Sequence, residues 1–296
     1  PGPGRYVRMN VLITGANGQL GRALQRSAPR NAKVVARDAP ELDIVDASAV
    51  LDECRNMSPD VVINAAAYTA VDQAESEPEL ARAINVTGVQ NLATAAAEVG
   101  ARLIQVSTDF VFDGEGSTPY VPEAEASPVS VYGSTKREGE LAVAELLPES
   151  GIIVRTAWLY SADGSNFVKT MLRLMRERDE ISVVADQTGT PTWAASLAEA
   201  IWKFASLDGV AGIFHWTDGG QATWHQFAEA IQEEALALGI LDKSIPIHPI
   251  TTDDYPTPAR RPRYSVLDCS KTHELLGYRP KVWRDNLHLM LKGIAS

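Results

Sequence analysis

Short runs rich in β-branched residues punctuate the first half of the chain: Val11-Leu12-Ile13, Lys33-Val34-Val35, Val61-Val62-Ile63, Leu103-Ile104-Gln105-Val106 and Ile152-Ile153-Val154. Polar residues do not alternate within them, so each run predicts a strand buried on both faces, as in a parallel sheet. Between them lie segments with apolar residues three and four apart, which predict helices over 19–28, 78–99, 132–147 and 166–178. Strand and helix in this rhythm predict repeated βαβ units and an α/β, doubly wound parallel sheet.

Beyond about Ser161 the rhythm loosens, with strands near 181–184 and 212–215 and helices near 195–205 and 223–238. We expect a mainly dinucleotide-binding domain over 9–160 and a smaller, mainly substrate-binding C-terminal lobe over 161–296, with chain crossings between the two allowed. The Pro-rich stretch 245–262 is too restricted for a helix and too long for an idle turn, and predicts an ordered loop bordering a site. Residues 1–8, opening Pro1-Gly2-Pro3-Gly4, read as a tag or loose leader.

Composition narrows the chemistry. With 296 residues, 45% of them hydrophobic, the chain can bury a large core. Lys and Arg total 27 against 38 Asp and Glu, a net charge of −11, so no basic footprint for a nucleic acid is expected. Cys54 and Cys269 stand far apart without a CxxC or Cys/His cluster, which predicts reduced thiols and neither a disulfide framework nor a zinc site. No apolar run approaches the roughly 20 residues of a membrane helix and no signal-peptide pattern opens the chain, so the expectation is a cytoplasmic enzyme with no membrane partner. His215, His225, His248 and His273 are scattered singly, and no GxSxG elbow is present, which disfavours metal chemistry and hydrolysis.

The first strand leads into Gly15-Ala16-Asn17-Gly18-Gln19-Leu20-Gly21 and then a helix. Strand, glycines and helix in that order predict a Rossmann-type phosphate loop: glycine permits the tight turn and the close approach, and the helix N-terminus offers amides to a pyrophosphate. Gly15, Asn17, Gly18, Gln19 and Leu20 are therefore expected cofactor residues. At the end of the second strand Arg37 suits the 2′-phosphate of NADPH and Asp38 suits the ribose hydroxyls of NADH, which leaves NADPH slightly favoured over NADH. Asp43 and Ile44 can hold the adenine end, although Asp also starts helices well. After the third strand, Ala65, Ala66 and Ala67 with Tyr68 and Thr69 are small enough for a nicotinamide ribose to lie against, or for a helix to pack closely on the sheet.

The fourth strand ends at Ser107-Thr108-Asp109, and Tyr132 and Lys136 follow at YxxxK spacing. Residues four apart share a helix face, so both can point into the crevice at the carboxyl ends of the strands. A phenol titrates near 10 unperturbed, and a neighbouring ammonium lowers it. Tyr132 is thus expected to be the general acid of a carbonyl reduction with its pKa lowered by Lys136, Thr108 a hydrogen-bond donor to the same oxygen, and Lys136 also a ribose ligand.

With these residues in hand, the chain resembles the extended short-chain dehydrogenase/reductase family, and within it the dTDP-4-dehydrorhamnose reductases. The resemblance rests on Gly15 to Gly21, Asn64 to Glu75, Ser107 to Gly114, Val131 to Lys136, Arg155 to Tyr160, Asp186 to Thr192 and Pro258 to Pro262, and runs from about residue 9 to the end. It implies a nucleotide-sugar substrate, reduction of its 4-keto group with NADPH or NADH, and substrate contacts from Thr108, Asp109 and Trp158. Phe110 stands where many members carry Tyr, which removes a hydroxyl from that place. Arg260 and Arg261 can meet a diphosphate by charge-assisted bonds or simply be solvated. Some members bind Mg²⁺ at a dimer contact; no metal motif is present here, so no metal ligand is assigned, and a homodimer stays open. Two alternatives remain: another nucleotide-sugar reductase, epimerase or dehydratase of the superfamily, and a non-catalytic NADP-binding regulatory subunit like that of methionine adenosyltransferase.

Overall fold

The computed structural model describes residues 8–295, so the expected leader, apart from Arg8, lies outside the described residues. The five apolar runs form β1 (Met9–Thr14), β2 (Ala32–Arg37), β3 (Val61–Asn64), β4 (Arg102–Thr108) and β5 (Gly151–Thr156). Alternate side chains go to opposite faces. Val11, Ile13, Val61, Ile63, Ile104, Ile152 and Val154 enter one core, while Leu12, Val62, Leu103 and Ile153 enter the other. The first core is closed by α1 (Gln19–Arg26), the second by α2 (Ala47–Met57). Short helices α3 (Val71–Ala74) and α4 (Pro78–Arg82) follow β3, and α5 (Val89–Val99) and α6 (Val131–Leu146) complete the second layer.

The helix expected over 78–99 is interrupted. Between α4 and α5 the backbone forms a π-helical stretch, Ala83–Gly88. Gly88 has Ile44 pressed on it, where an added Cβ would meet Ile44 Cδ1 at 2.6 Å. The extra residue in the turn swings Asn85 into the interior, where it is 1% exposed. Such bulges commonly mark functional places in helices.

Past β5 the chain forms the short pieces from which the lobe is drawn, β6 (Leu159–Tyr160), α7 (Phe167–Glu177), β7 (Ile181–Val184), β8 (Thr188–Gly189) and β9 (Thr192–Trp193), and then α8 (Ala194–Ala205) and β10 (Gly212–His215). After them come β11 (Ala222–Thr223), α9 (Trp224–Ala237), β12 (Ile247–Ile250), α10 (Ser270–Leu276) and α11 (Trp283–Ala295). Tyr160, Leu172, Phe227, Ile231, Trp283 and Leu287 are among its core residues. β12 corrects the expectation of a loop throughout 245–262. It pairs in parallel with β7, and Pro249 is accommodated because this sheet has only two strands and its outer side needs no donor. β10 departs from the lobe altogether. It pairs with β5, giving a six-stranded parallel sheet in the order β10-β5-β4-β3-β1-β2, and α8 packs beside α1 on the first core.

At this junction His215 is fully buried and its Nδ1 has no hydrogen-bond partner. Burial, seconded by the Arg155 charge, pushes its pKa down from 6.5 to about 3. An unfolded chain would take up a proton near 6.5 while the folded one would not until about 3, so stability is complete above 6.5 and is lost as pH falls toward 3. His215→Phe is expected to flatten that acid limb in urea melts taken from pH 7 to pH 4. An unchanged slope would assign the acid sensitivity elsewhere.

Candidate active site

The glycines of the first turn divide the work. Gly15 adopts φ +75, and an added Cβ would lie 2.5 Å from the amide nitrogen of Ala66, so the loop and the segment after β3 touch backbone to backbone. At Gly21 a Cβ would stand 2.1 Å from the Gly15 carbonyl oxygen. Gly18 is different: its nearest neighbour would be Gly15 O at 3.4 Å, an ordinary contact. Gly18 is also the N-cap of α1, which no side chain caps, so the first-turn amides of Gln19 and Leu20 remain donors on the open side. That donor set fits a pyrophosphate. We expect Gly21→Ala to cost about 1–3 kcal/mol in denaturant unfolding through overpacking. Gly18→Ala should leave stability near wild type but weaken dinucleotide binding in a fluorescence titration; unchanged binding would remove this loop from the site.

The other expected cofactor residues are placed as follows. Asp38 Oδ2 accepts from the Asn17 amide at 2.6 Å and its Oδ1 from the Ala39 amide at 2.9 Å, stapling the glycine loop to the end of β2. Arg37 Nε donates to Glu53 Oε1 at 2.8 Å. Gln19 Oε1 accepts from Asn166 Nδ2 at 2.9 Å, so its side chain reaches into the lobe. The Leu20 and Ile44 side chains are buried in the cores and leave only their backbones available to a ligand. Asp43 is exposed and accepts from the Val45 amide at 2.9 Å. Ala65, Ala66 and Ala67 are half-buried beside Gly15, and Thr69 is exposed. Asn85 fixes this segment, accepting from the Tyr68 amide at 2.9 Å and donating to Tyr68 O and Thr135 Oγ1, each at 3.1 Å.

Thr108 closes β4, and Ser130 caps α6 by accepting from the Gly133 amide at 3.1 Å. A Cβ on Gly133 would meet the Phe110 carbonyl oxygen at 2.2 Å, so the start of α6 sits directly on the turn after β4. This brings Tyr132 into hydrogen-bonding range of Thr108, with Phe110 edge-on to its ring at 5.5 Å. Burial pushes the Tyr132 phenol up to about 12, against the lowering by the Thr108 hydrogen bond; Asp109 raises it further. The expected lowering by Lys136 is not found. The Lys136 ammonium instead donates to the Val106 carbonyl at 2.7 Å, and burial brings it down to about 8 while Glu140 opposes the drop. Asp109, accepting from Thr108 Oγ1 at 3.1 Å, is raised to about 6 by burial, opposed by the nearby Ser265 hydroxyl and by Thr108. Its Oδ2 is buried without a hydrogen-bond partner.

Behind Lys136 lies a group that sequence reasoning missed. Glu140, one helical turn further along α6, accepts from Arg155 Nε at 2.8 Å and Nη2 at 2.7 Å, from Ser107 Oγ at 2.5 Å and from Arg137 Nη1 at 2.8 Å. Arg155 and Glu140 are 1% and 0% exposed. Although burial raises the Glu140 pKa, these donors hold it below the usual carboxylate range. Its only signal in the sequence is the continuation of the Tyr132, Lys136 face by four more residues.

Trp158 has φ +46 and stacks on Trp224 at 3.5 Å in the lobe's aromatic cluster. Gly189 makes room for it, since a Cβ there would fall 2.5 Å from the indole. Arg261 is engaged rather than free. It forms a bidentate pair with Asp72 of α3 at 2.7 and 2.8 Å, binding the Pro-rich loop to the sheet domain. Arg260 pairs with Glu115 at 2.6 Å. The structure thus brings Thr108, Asp109, Tyr132 and Lys136 together at one strand end and the glycine loop against Ala65 and Ala66. Among the described residues no group of three or more His, Cys, Asp or Glu converges as a metal site.

The family description RmlD substrate binding domain matches residues 9–296. The dTDP-4-dehydrorhamnose reductase of Streptomyces griseus is 48% identical over 271 residues, covering 90% of this chain and 88% of the relative. Among solved structures, a dTDP-4-dehydrorhamnose reductase from Clostridium acetobutylicum superposes with a TM-score of 0.90 at 43% identity, covering 97% of this chain and 100% of that one. A reductase of the same name from Bacillus anthracis, solved in complex with NADP, gives a TM-score of 0.90 at 38% identity over 96% of this chain and 98% of its own.

Proposed function

The chain belongs to the RmlD substrate binding domain family, and on that premise we propose that it reduces the 4-keto group of dTDP-4-dehydro-L-rhamnose (dTDP-6-deoxy-L-lyxo-4-hexulose) to dTDP-L-rhamnose with NADPH or NADH. The observation that carries this reading is the convergence of the Tyr132 hydroxyl, Thr108 and the buried Lys136 ammonium at the carboxyl end of β4. When bound, the reduced nicotinamide supplies the hydride that reduces sugar C4.

The remaining steps fall to this chain's residues. The amides of Gln19 and Leu20 hold the pyrophosphate, and Ala65 to Ala67 leave room for the nicotinamide ribose, which Lys136 binds. As C4 gains the hydride its oxygen becomes an alkoxide, and Tyr132 gives that oxygen its phenolic proton; the phenolate is reprotonated from solvent. A phenol raised to about 12 still holds its proton at neutral pH, the state a general acid requires. Thr108 turns its one hydroxyl proton from Asp109 Oδ1 to the same oxygen. Asp109 accepts from a sugar hydroxyl, Trp158 covers the sugar, and Arg261 reaches the diphosphate by exchanging its Asp72 partner.

Purified protein should oxidise NADPH only when the 4-keto dTDP sugar, generated from dTDP-glucose by the upstream chemistry, is supplied, with dTDP-L-rhamnose recovered by chromatography. Cofactor binding without turnover would overturn the reading in favour of a binding subunit. The reading also carries a cytoplasmic enzyme that pairs as a homodimer, the latter checked by sedimentation. Among the described residues no helix is long and apolar enough to cross a membrane.

A further inference from the structure

We propose that Glu53 sets the cofactor preference by occupying Arg37, so that the site discriminates weakly between NADPH and NADH. The inference rests on the reading of the glycine loop as a dinucleotide site. Arg37 ends β2, beside the loop that Asp38 staples through the Asn17 amide, and an adenosine 2′-phosphate has to approach this strand end. Glu53 arrives from α2, a helix otherwise used for packing through Val50 and Cys54, and takes the Nε of Arg37 at 2.8 Å. The Arg37 and Glu53 side chains are 38% and 23% exposed, so the pair lies at the rim rather than in the core.

The geometry is a single bond, not the two-pronged pairing a guanidinium prefers with a carboxylate. The terminal nitrogens of Arg37 are left for a phosphate, but any phosphate they bind sits within a few bond lengths of the Glu53 charge. Asp38 adds a second negative charge whose two oxygens are already used on main-chain amides. The strand end therefore offers one positive charge between two negative ones. NADH carries no 2′-phosphate and does not meet this opposition. Removing the Glu53 charge while keeping its shape leaves Arg37 free for the phosphate and changes nothing that NADH touches.

The test is equilibrium titration of the full chain with NADPH and NADH by cofactor fluorescence, repeated with 2′,5′-ADP and ADP. Glu53→Gln is expected to tighten NADPH and 2′,5′-ADP about three- to tenfold, the size of one partly screened charge at this range, with NADH and ADP unchanged. Arg37→Met should weaken NADPH alone. Glu145→Gln, on the exposed side of α6, is the control for net charge. An unchanged ratio in Glu53→Gln, or an equal shift in Glu145→Gln, overturns the proposal while leaving the dinucleotide site standing. If the wild-type chain binds neither cofactor, the site reading itself fails and the proposal with it. Thermal melts of each variant separate a binding change from a folding defect.

Discussion

Tyr132→Phe is expected to lose about 10²- to 10⁴-fold in kcat while binding NADPH as tightly as the unaltered chain. The substitution removes one hydroxyl and keeps the ring against Phe110, so α6 retains its seat on the turn after β4. The pH profile carries a second signature. Tyr132, raised to about 12, stays protonated across the working range, whereas Lys136, lowered to about 8, does not. As pH rises through about 8 the ammonium is lost and with it the charge that holds the ribose, so kcat/KM should fall on an alkaline limb near 8 that belongs to Lys136. Since kcat/KM for the cofactor reports the free enzyme, the limb in that parameter should be present with NADPH and with NADH. A Tyr132→Phe variant within tenfold of the wild-type rate would assign the proton to another group.

Arg155→Met should be the most damaging single change to stability, at about 3–5 kcal/mol, because it strands the Glu140 carboxylate in the interior with only Ser107 and Arg137 left as donors. Denaturant unfolding measures it. The double variant Glu140→Leu with Arg155→Met removes both charges and is expected to cost less than either single change, since matched apolar groups often replace a buried pair with little loss. Glu140→Gln has a further readout. It takes away the charge that opposes the lowering of Lys136, so the alkaline limb should move to lower pH. If that limb stays in place while stability falls, the role of Glu140 is structural only.

What could be read from the sequence followed from how many faces of an element are buried. β1, β3 and β5 each carry an unbroken run of three apolar residues because both layers of helices cover them there. By contrast α2 buries only Val50 and Cys54, too few positions to announce a helical period, although Asp46 caps it by accepting from the Ala49 amide at 3.0 Å. Tyr132 and Lys136 were visible because their partnership is local, four residues apart on one helix. Glu140 with Arg155, Asn85 with Tyr68, and Arg37 with Glu53 were not, since each depends on a pairing that only the packed elements create. The lowering of Tyr132 by Lys136 failed for a related reason: spacing places two groups on one face but does not say that burial outweighs a neighbouring charge.

The return of β10 to the large sheet bears on how the chain is made. Arg155 and His215 lie opposite each other in adjacent strands yet 60 residues apart in sequence. During synthesis at roughly 5–20 residues per second, β5 would wait about 3–12 seconds for its outer neighbour. For that interval the nascent sheet presents an unpaired apolar margin, the kind that recruits other chains. A released fragment ending near residue 160 should therefore bind chaperones through β5, and extension past 216 should withdraw β5 from that contact while the lobe core still waits for α9 and α11.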